Sequence, residues 1–403
     1  MIRALLFLLL LALPASAQDF SGLARIDPAR SEVRDDGDGL RVSLALSQPV
    51  PYRVFTLDAP RRLVVDFREV DWSGMRRETL LNADGVTDLG FGPLRPGWSR
   101  LVLLLAGPMQ VVEAGMDVSQ TDGTADLTLR LARSTEESFA ALAGAPDGAD
   151  WGDLETTPAP SQAPATENDR TLIVVIDPGH GGIDPGAIRG DLIEADLMLQ
   201  LGFEVADALN RVDGIRAILT RDGNAFVPLS ARISAARAAN ADLFISLHAD
   251  ALEEDEARGA SVYTLSDEAE DRASQRMAER HERGDLLAGL DLSGQEDRVA
   301  TVLMDLARRE TAPKSDRFAD ALTLALQEAG ATLNSRPRRE GPLAVLNAAD
   351  FPSVLLEAGF LSSASDRDRL SRADGRAPIV TAIVRAVQRW AQDEAARAPL
   401  VRQ

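Results

Sequence analysis

The sequence predicts two folded units of different class, an all-β sandwich-like domain over residues 18–142 and an α/β domain with a mostly parallel sheet flanked by helices over residues 171–396. Three observations carry this. Short β-rich runs separated by turn residues fill the first unit. A stretch rich in Pro, Ala, Thr and acidic residues, without apolar periodicity, occupies residues 143–170 and reads as a disordered linker. Beyond it, strands alternate with helical stretches, and the apolar run IVVI at Ile173–Ile176 has no polar alternate, which implies burial on both sheet faces.

In the first unit the strand candidates are Leu40–Leu46, Arg62–Phe67, Arg100–Ala106 and Ala125–Ala132, with DDGDG at Asp35–Gly39 and GPLRPGW at Gly92–Trp98 as separators. This unit contains no histidine and no plausible catalytic constellation. In the second unit, strands at Thr171–Asp177, Ala217–Thr220, Asp242–His248 and Ser353–Phe360 alternate with helices near Glu194–Arg211, Leu229–Ala239, Arg317–Glu328 and Pro378–Ala396.

Composition narrows the function. The 403 residues carry 43 basic and 63 acidic side chains, a formal charge of -20, which repels nucleic-acid phosphates. With no cysteine, thiolate metal sites, disulfides and cysteine nucleophiles are excluded, so any metal must be held by His, Asp or Glu. Residues 1–17 combine Arg3, an apolar run from Ala4 to Leu13 and the small-residue site Ala15-Ser16-Ala17, which reads as a Sec-type signal peptide. The run is shorter than the ~20 residues needed to span a bilayer. A secreted protein with no membrane span after processing is the expectation.

All three histidines, His180, His248 and His281, lie in the second unit. His180 and His248 each follow a predicted buried strand, at the carboxyl edge where ligands gather in open α/β sheets. Glu194 opens the helix after the first loop, and Glu357 ends the strand run SVLLE. The loop DPGHGGIDPGAIRG at Asp177–Gly190 is rich in glycine but matches neither the dinucleotide fingerprint nor the P-loop. One histidine at a strand end is commonly a hydrogen-bonding loop residue. Two of them with a glutamate form a catalytic zinc set with an open fourth position. Glu357 reads as a general base, with a structural pairing to Arg221 as the alternative. Asp177, Asp184 and Asp250 are weaker candidates, since strand-end Asp residues commonly satisfy loop amides.

The segments VVIDPGHGGIDPGAIRG and IEADL, then TRDGNAFVPLSARISAARAANADLFISLHADA, then LAVLNAADFPSVLLEAGFLSS, resemble the successive motifs of zinc-dependent N-acetylmuramoyl-L-alanine amidases of the cell-division type. The preceding β-rich unit, with LDAPRRLVVDF, resembles the AMIN domain that targets such amidases to the cell wall. The resemblance implies a Zn2+ cofactor on His180, Glu194 and His248, and Glu357 as catalytic glutamate. It implies hydrolysis of the amide between N-acetylmuramic acid and L-alanine of peptidoglycan, in daughter-cell separation and in the periplasm. Asn347, Ser363 and Ala358 depart from the family pattern, which bears on the substrate contacts the resemblance implies rather than on the metal.

Residues 266–315 form a charged, helix-prone stretch, which by charge alone is a solvated surface helix. In related amidases such an insertion holds a helix over the zinc until an activator protein, of the LytM type, releases it. There a glutamate four residues before a D-L-I-x-G-like segment blocks the metal. Here DLLAG begins at Asp285, which puts His281 in that place with Glu282 beside it. Either is expected to occupy the fourth zinc position at rest. Two alternatives stay open on the residues alone: a catalytically silent peptidoglycan-binding protein, and a zinc peptidase acting within the stem peptide.

Overall fold

A computed structural model describes residues 23–68, 70–95, 97–119, 121–144, 171–252, 257–287 and 298–401. The expected signal peptide of residues 1–17 and residues 145–170 of the expected linker lie outside them. No helix among the described residues is long and apolar enough to cross a membrane.

The amino-terminal unit is a sandwich of two sheets. Its strands are β1 (Glu32–Asp36), β2 (Gly39–Leu46), β3 (Tyr52–Leu57), β4 (Arg62–Arg68), β5 (Leu81–Asn82), β6 (Val86–Arg95), β7 (Trp98–Leu105), β8 (Met109–Val118) and β9 (Ala125–Arg133). One sheet runs β8-β9-β2-β1-β5 and the other β3-β4-β7-β6. Their inner faces meet in a core that includes Leu44, Leu63, Val65, Phe67, Leu101 and Leu129. A sandwich strand normally alternates between core and water. β4 does not: Arg62, Val64 and Asp66, on its outer face, are as buried as Leu63, Val65 and Phe67.

The second unit holds a six-stranded sheet of β10 (Leu172–Pro178), β11 (Ile215–Leu219), β12 (Leu243–His248), β13 (Ala260–Leu265), β14 (Leu333–Gly341) and β15 (Ser353–Glu357). The order is β11-β10-β12-β15-β13-β14, parallel except where β13 meets β15 antiparallel. Helices α1 (Glu194–Asn210), α2 (Leu229–Ala238), α3 (Arg272–Leu287), α4 (Arg298–Glu328) and α5 (Ala373–Val401) accompany it. α1, α4 and α5 cover one face through Leu201, Val205, Phe318, Leu322, Ile383 and Val387. The opposite face packs Val175, Phe244 and Leu355 against Met277 of α3 and against Val345 and Leu346.

The expected insertion boundary at Ser315 is not a structural break. α4 passes through it, with Pro313 inside the helix, and continues to Glu328 because its later turns bury Phe318, Leu322 and Leu326 against the sheet. The Ser315 hydroxyl also accepts the backbone N–H of Ser353 at 3.0 Å, tying the insertion to the start of β15.

Candidate functional site

The site forms where β10, β12 and β15 end. β12 and β15 are parallel neighbours with His248 directly opposite Glu357, so this register alone sets the two side chains beside each other. β10 ends at Pro178, and its neighbour β12 brings His248 up against the loop that follows. A Cβ on Gly179 would lie 2.3 Å from the His248 ring, so only glycine lets that loop approach. His180 itself has φ +59, a left-handed conformation that costs a non-glycine residue energy and is held by the surroundings. Two buried arginines do the holding. Arg232 donates to the carbonyls of Pro178 (2.9 Å) and His180 (2.8 Å), and Arg221 to those of Pro178 (2.9 Å), Gly179 (2.8 Å) and Ala195 (2.7 Å). Arg221 is therefore a loop clamp and not the partner of Glu357 that one reading of the sequence offered.

Glu194 is fully buried at the first turn of α1. Its Oε2 accepts the Ala187 N–H (2.8 Å) and its Oε1 the Ala249 N–H (2.8 Å), which aims the carboxylate into the site. Oε1 stands 3.2 Å from His180 Nε2 and 3.2 Å from His248 Nδ1. Donors around a tetrahedral zinc with bonds of about 2.0 Å stand about 3.3 Å apart, so both distances fit an edge of such a site. The His180 Nδ1 lies 2.7 Å from Asp184 Oδ2, which turns Nε2 toward Glu194, where it makes no hydrogen bond among the described residues. A metal ligand oriented by a carboxylate on its far nitrogen has this arrangement.

The electrostatics follow from burial. Desolvation opposes charge on His180, but Asp184 and Glu194 outweigh it and hold its pKa well above the ordinary value. His248 is pushed down by burial. Glu194 is held well below the carboxylate range despite burial, because His180 and His248 surround it. Burial raises Glu357 well above that range, reinforced by Asp250 and Glu194. Asp250 is pushed up to about 7 by the same causes, burial first and Glu194 next.

Glu357 is tethered by one oxygen only. Oε2 accepts the Asp250 N–H at 3.0 Å, while Oε1 is buried without a hydrogen-bond partner among the described residues. Asp177 is the contrast: it takes Arg232 (2.7 Å), Thr220 (2.6 Å) and Ser246 (2.7 Å), and serves the framework.

His281 also reaches the site. Its ring stacks on His248 with centroids 4.1 Å apart and stands 5.8 Å from His180. Candidate ligand atoms of His180, His248 and His281 lie within 4.8 Å of one another, as do those of Asp250, His281 and Glu357. Both ring nitrogens of His281 lack a hydrogen-bond partner among the described residues. Its helix neighbour Arg280 pairs with Asp250 at 3.1 Å. The Glu282 side chain lies outside the described residues. Ser274, Met277, Ala278 and His281 form one buried face of α3, at a helical spacing that the sequence displays. The space left among Asp177, His180, His248, His281, Phe226 and Arg232 is about 20 Å³, room for a water and no more.

A buried histidine–histidine–glutamate donor set beside a half-tethered carboxylate, at the carboxyl edge of an α/β sheet, defines a hydrolase able to hold a metal ion. Comparison with known proteins makes the class specific. Residues 174–389 match the N-acetylmuramoyl-L-alanine amidase family and residues 31–127 the AMIN domain. The chain is 30% identical over 384 residues to N-acetylmuramoyl-L-alanine amidase AmiC of Neisseria meningitidis serogroup B, covering 87% of this chain and 86% of that one. It is 27% identical over 369 residues to AmiC of Escherichia coli O6:H1, covering 88% and 87%. Among solved structures, AmiC2 of Nostoc punctiforme is 26% identical, with 55% of this chain and 98% of that one aligned at a TM-score of 0.40. The chain belongs to the N-acetylmuramoyl-L-alanine amidase family, whose members are generally zinc-dependent. It is an amidase of peptidoglycan remodelling that carries an AMIN domain.

Proposed function

We propose that this amidase uses zinc held by His180, Glu194 and His248, with Glu357 as proton carrier, and that the closed form described here is a resting state in which His281 takes the fourth ligand position. The observation that carries the reading is the 3.2 Å spacing of Glu194 Oε1 from both His180 Nε2 and His248 Nδ1. The ring of His281, stacked on His248 with its Nε2 3.6 Å from Asp250 Oδ2 and without a hydrogen bond among the described residues, supports its second half.

Bound there, zinc supplies Lewis acidity to the scissile carbonyl and lowers the pKa of water. The protein does the rest. The free Oε1 of Glu357 takes a proton from the attacking water and returns it to the departing L-alanine amine, while the Asp250 N–H keeps the carboxyl in place. The Asp184 carboxylate fixes the His180 tautomer. The bond cut is the amide between the lactyl group of N-acetylmuramic acid and L-alanine. With α3 in place no stem peptide enters a space of about 20 Å³. An activator of the LytM type would draw His281 and Arg280 away, leaving Asp250 open to the substrate. The signal peptide of residues 1–17 and the AMIN domain fit a periplasmic enzyme acting at the wall during daughter-cell separation.

The test is mass spectrometry of muropeptides and intact sacculi incubated with the zinc-loaded chain. Free stem peptides beginning with L-alanine, lost on chelation and in Glu357→Gln, are the expected products. His281→Ala is expected to raise the rate without an activator. Cleavage within the stem peptide, or an unchanged basal rate in a folded His281→Ala protein, contradicts the corresponding half of the reading.

A further inference from the structure

The outer face of the β3-β4-β7-β6 sheet is covered by the catalytic unit. Phe55, Leu57, Val64, Leu94 and Val102 enclose Ile183 and Phe226, all of them buried. Ile183 sits between His180 and Asp184 in the loop of the site, and its N–H donates to the Pro93 carbonyl at 3.1 Å. The backbones touch as well. A Cβ on Gly92 would lie 2.8 Å from the Gly182 carbonyl oxygen, and one on Gly182 would lie 2.2 Å from that of Pro93. Helix α3 lies against β6 and β7 on one side, and on the other buries Met277, Ala278 and His281 toward the site.

We propose that the AMIN domain is the outer wall of the closed site: its four-stranded sheet docks on Gly182, Ile183, Phe226 and α3, and this face must separate before α3 can leave. A helix held between two packed bodies cannot withdraw while both stay in place. The apolar outer residues Val64 and Val102 have an explanation on this basis, since in a free sandwich they would face water. Residues 145–170 join the two units, and at ~3.3 Å per extended residue they allow tens of ångströms of separation without breaking the chain. The role in access rests on the proposed resting state; the docking itself does not.

The experiment uses the full chain with a protease site placed within residues 145–170. After cleavage, the unaltered halves are expected to co-elute on gel filtration and the Val64→Asp halves to separate, because docking would bury a carboxylate in the apolar contact with Ile183 and Phe226. Hydrogen exchange at Gly181–Asp184 and Arg272–His281 is expected to rise in uncleaved Val64→Asp. Its release of stem peptides from sacculi without activator is expected to rise at least about five-fold, the lower end of ordinary coupling between sites. Separation of the unaltered halves overturns the proposal, as does unchanged exchange in a folded Val64→Asp chain. Increased exchange without increased release removes the role in access. Should Val64→Asp fail to melt cooperatively, co-elution of the unaltered halves and their exchange against the uncleaved chain decide. Elution and exchange need no substrate, so they stand or fall separately from the proposed chemistry.

Discussion

Two regions of this molecule bury charge, and they do so in opposite ways. Beneath the outer face of the AMIN sheet, Asp66 takes Arg100 through both carboxylate oxygens and Arg53 at 2.7 Å, with the Arg100 guanidinium also over the Phe55 ring. At the carboxyl edge of the catalytic sheet, His180 Nε2, both nitrogens of His281, Asp250 Oδ2 and Glu357 Oε1 are buried without a hydrogen bond among the described residues. Burial without a partner is costly and persists only where something else uses the atoms. The first cluster holds a structure together, and the second is held by a structure.

That difference predicts opposite outcomes for similar changes. Glu357→Gln should lower stem-peptide release by roughly 10²–10⁴, the usual worth of general acid–base catalysis, with an unchanged melting temperature. Asp66→Ala should destabilise by ~3–5 kcal/mol, because it strands a buried arginine, and denaturant melts would read this directly. If Glu357→Gln melted early instead, the carboxyl would belong with Asp66 as framework.

Asp184→Asn sharpens the comparison within the site. It keeps the volume but weakens the orientation of His180, and should weaken zinc affinity by about 10- to 100-fold in chelator competition while leaving the fold intact. A smaller effect is expected at the tip between β8 and β9. Hydrogen bonds to Asp122 from the Ser119 side chain first, and then from the Thr124 hydroxyl at 2.8 Å, lower its pKa to about 2. A depressed folded-state pKa stabilises above the unfolded value and is lost as pH falls through the folded one. The melting-temperature advantage over Asp122→Asn should therefore be present at pH 5 and fade between about pH 4 and 2.

Much of the site is legible in the text because buried strands announce their ends. IVVI and VLL run apolar up to Asp177 and Glu357, and FISL, apolar but for Ser246, runs up to His248, so His180, His248 and Glu357 were readable as edge residues. Glu194 was readable as the opening of a helix. Family membership then favours the sugar–peptide amide over a bond within the stem peptide, a choice the metal chemistry does not make. The clamping roles of Arg221 and Arg232 were not legible, because the carbonyls they hold belong to the backbone of a loop, which no side-chain pattern records, and because the Arg232 pairing with Asp177 joins residues 55 apart in sequence. The buried spacing Ser274, Met277, Ala278, His281 is present in the sequence, but the charge of the surrounding helix masks it.

By itself the sequence determined the class of each unit, the donor types available and the strand ends that carry them, since periodicity, glycine placement and the absence of cysteine are local properties. Only the tertiary structure decided which donors meet. The pairing of His248 with Glu357 is a register between strands about a hundred residues apart, and the contact of Ile183 with Pro93 joins two domains. Neither leaves a trace in local pattern, because each depends on where distant segments come to rest against one another. For the same reason β4 reads as a sandwich strand with one solvent face and is found buried on both.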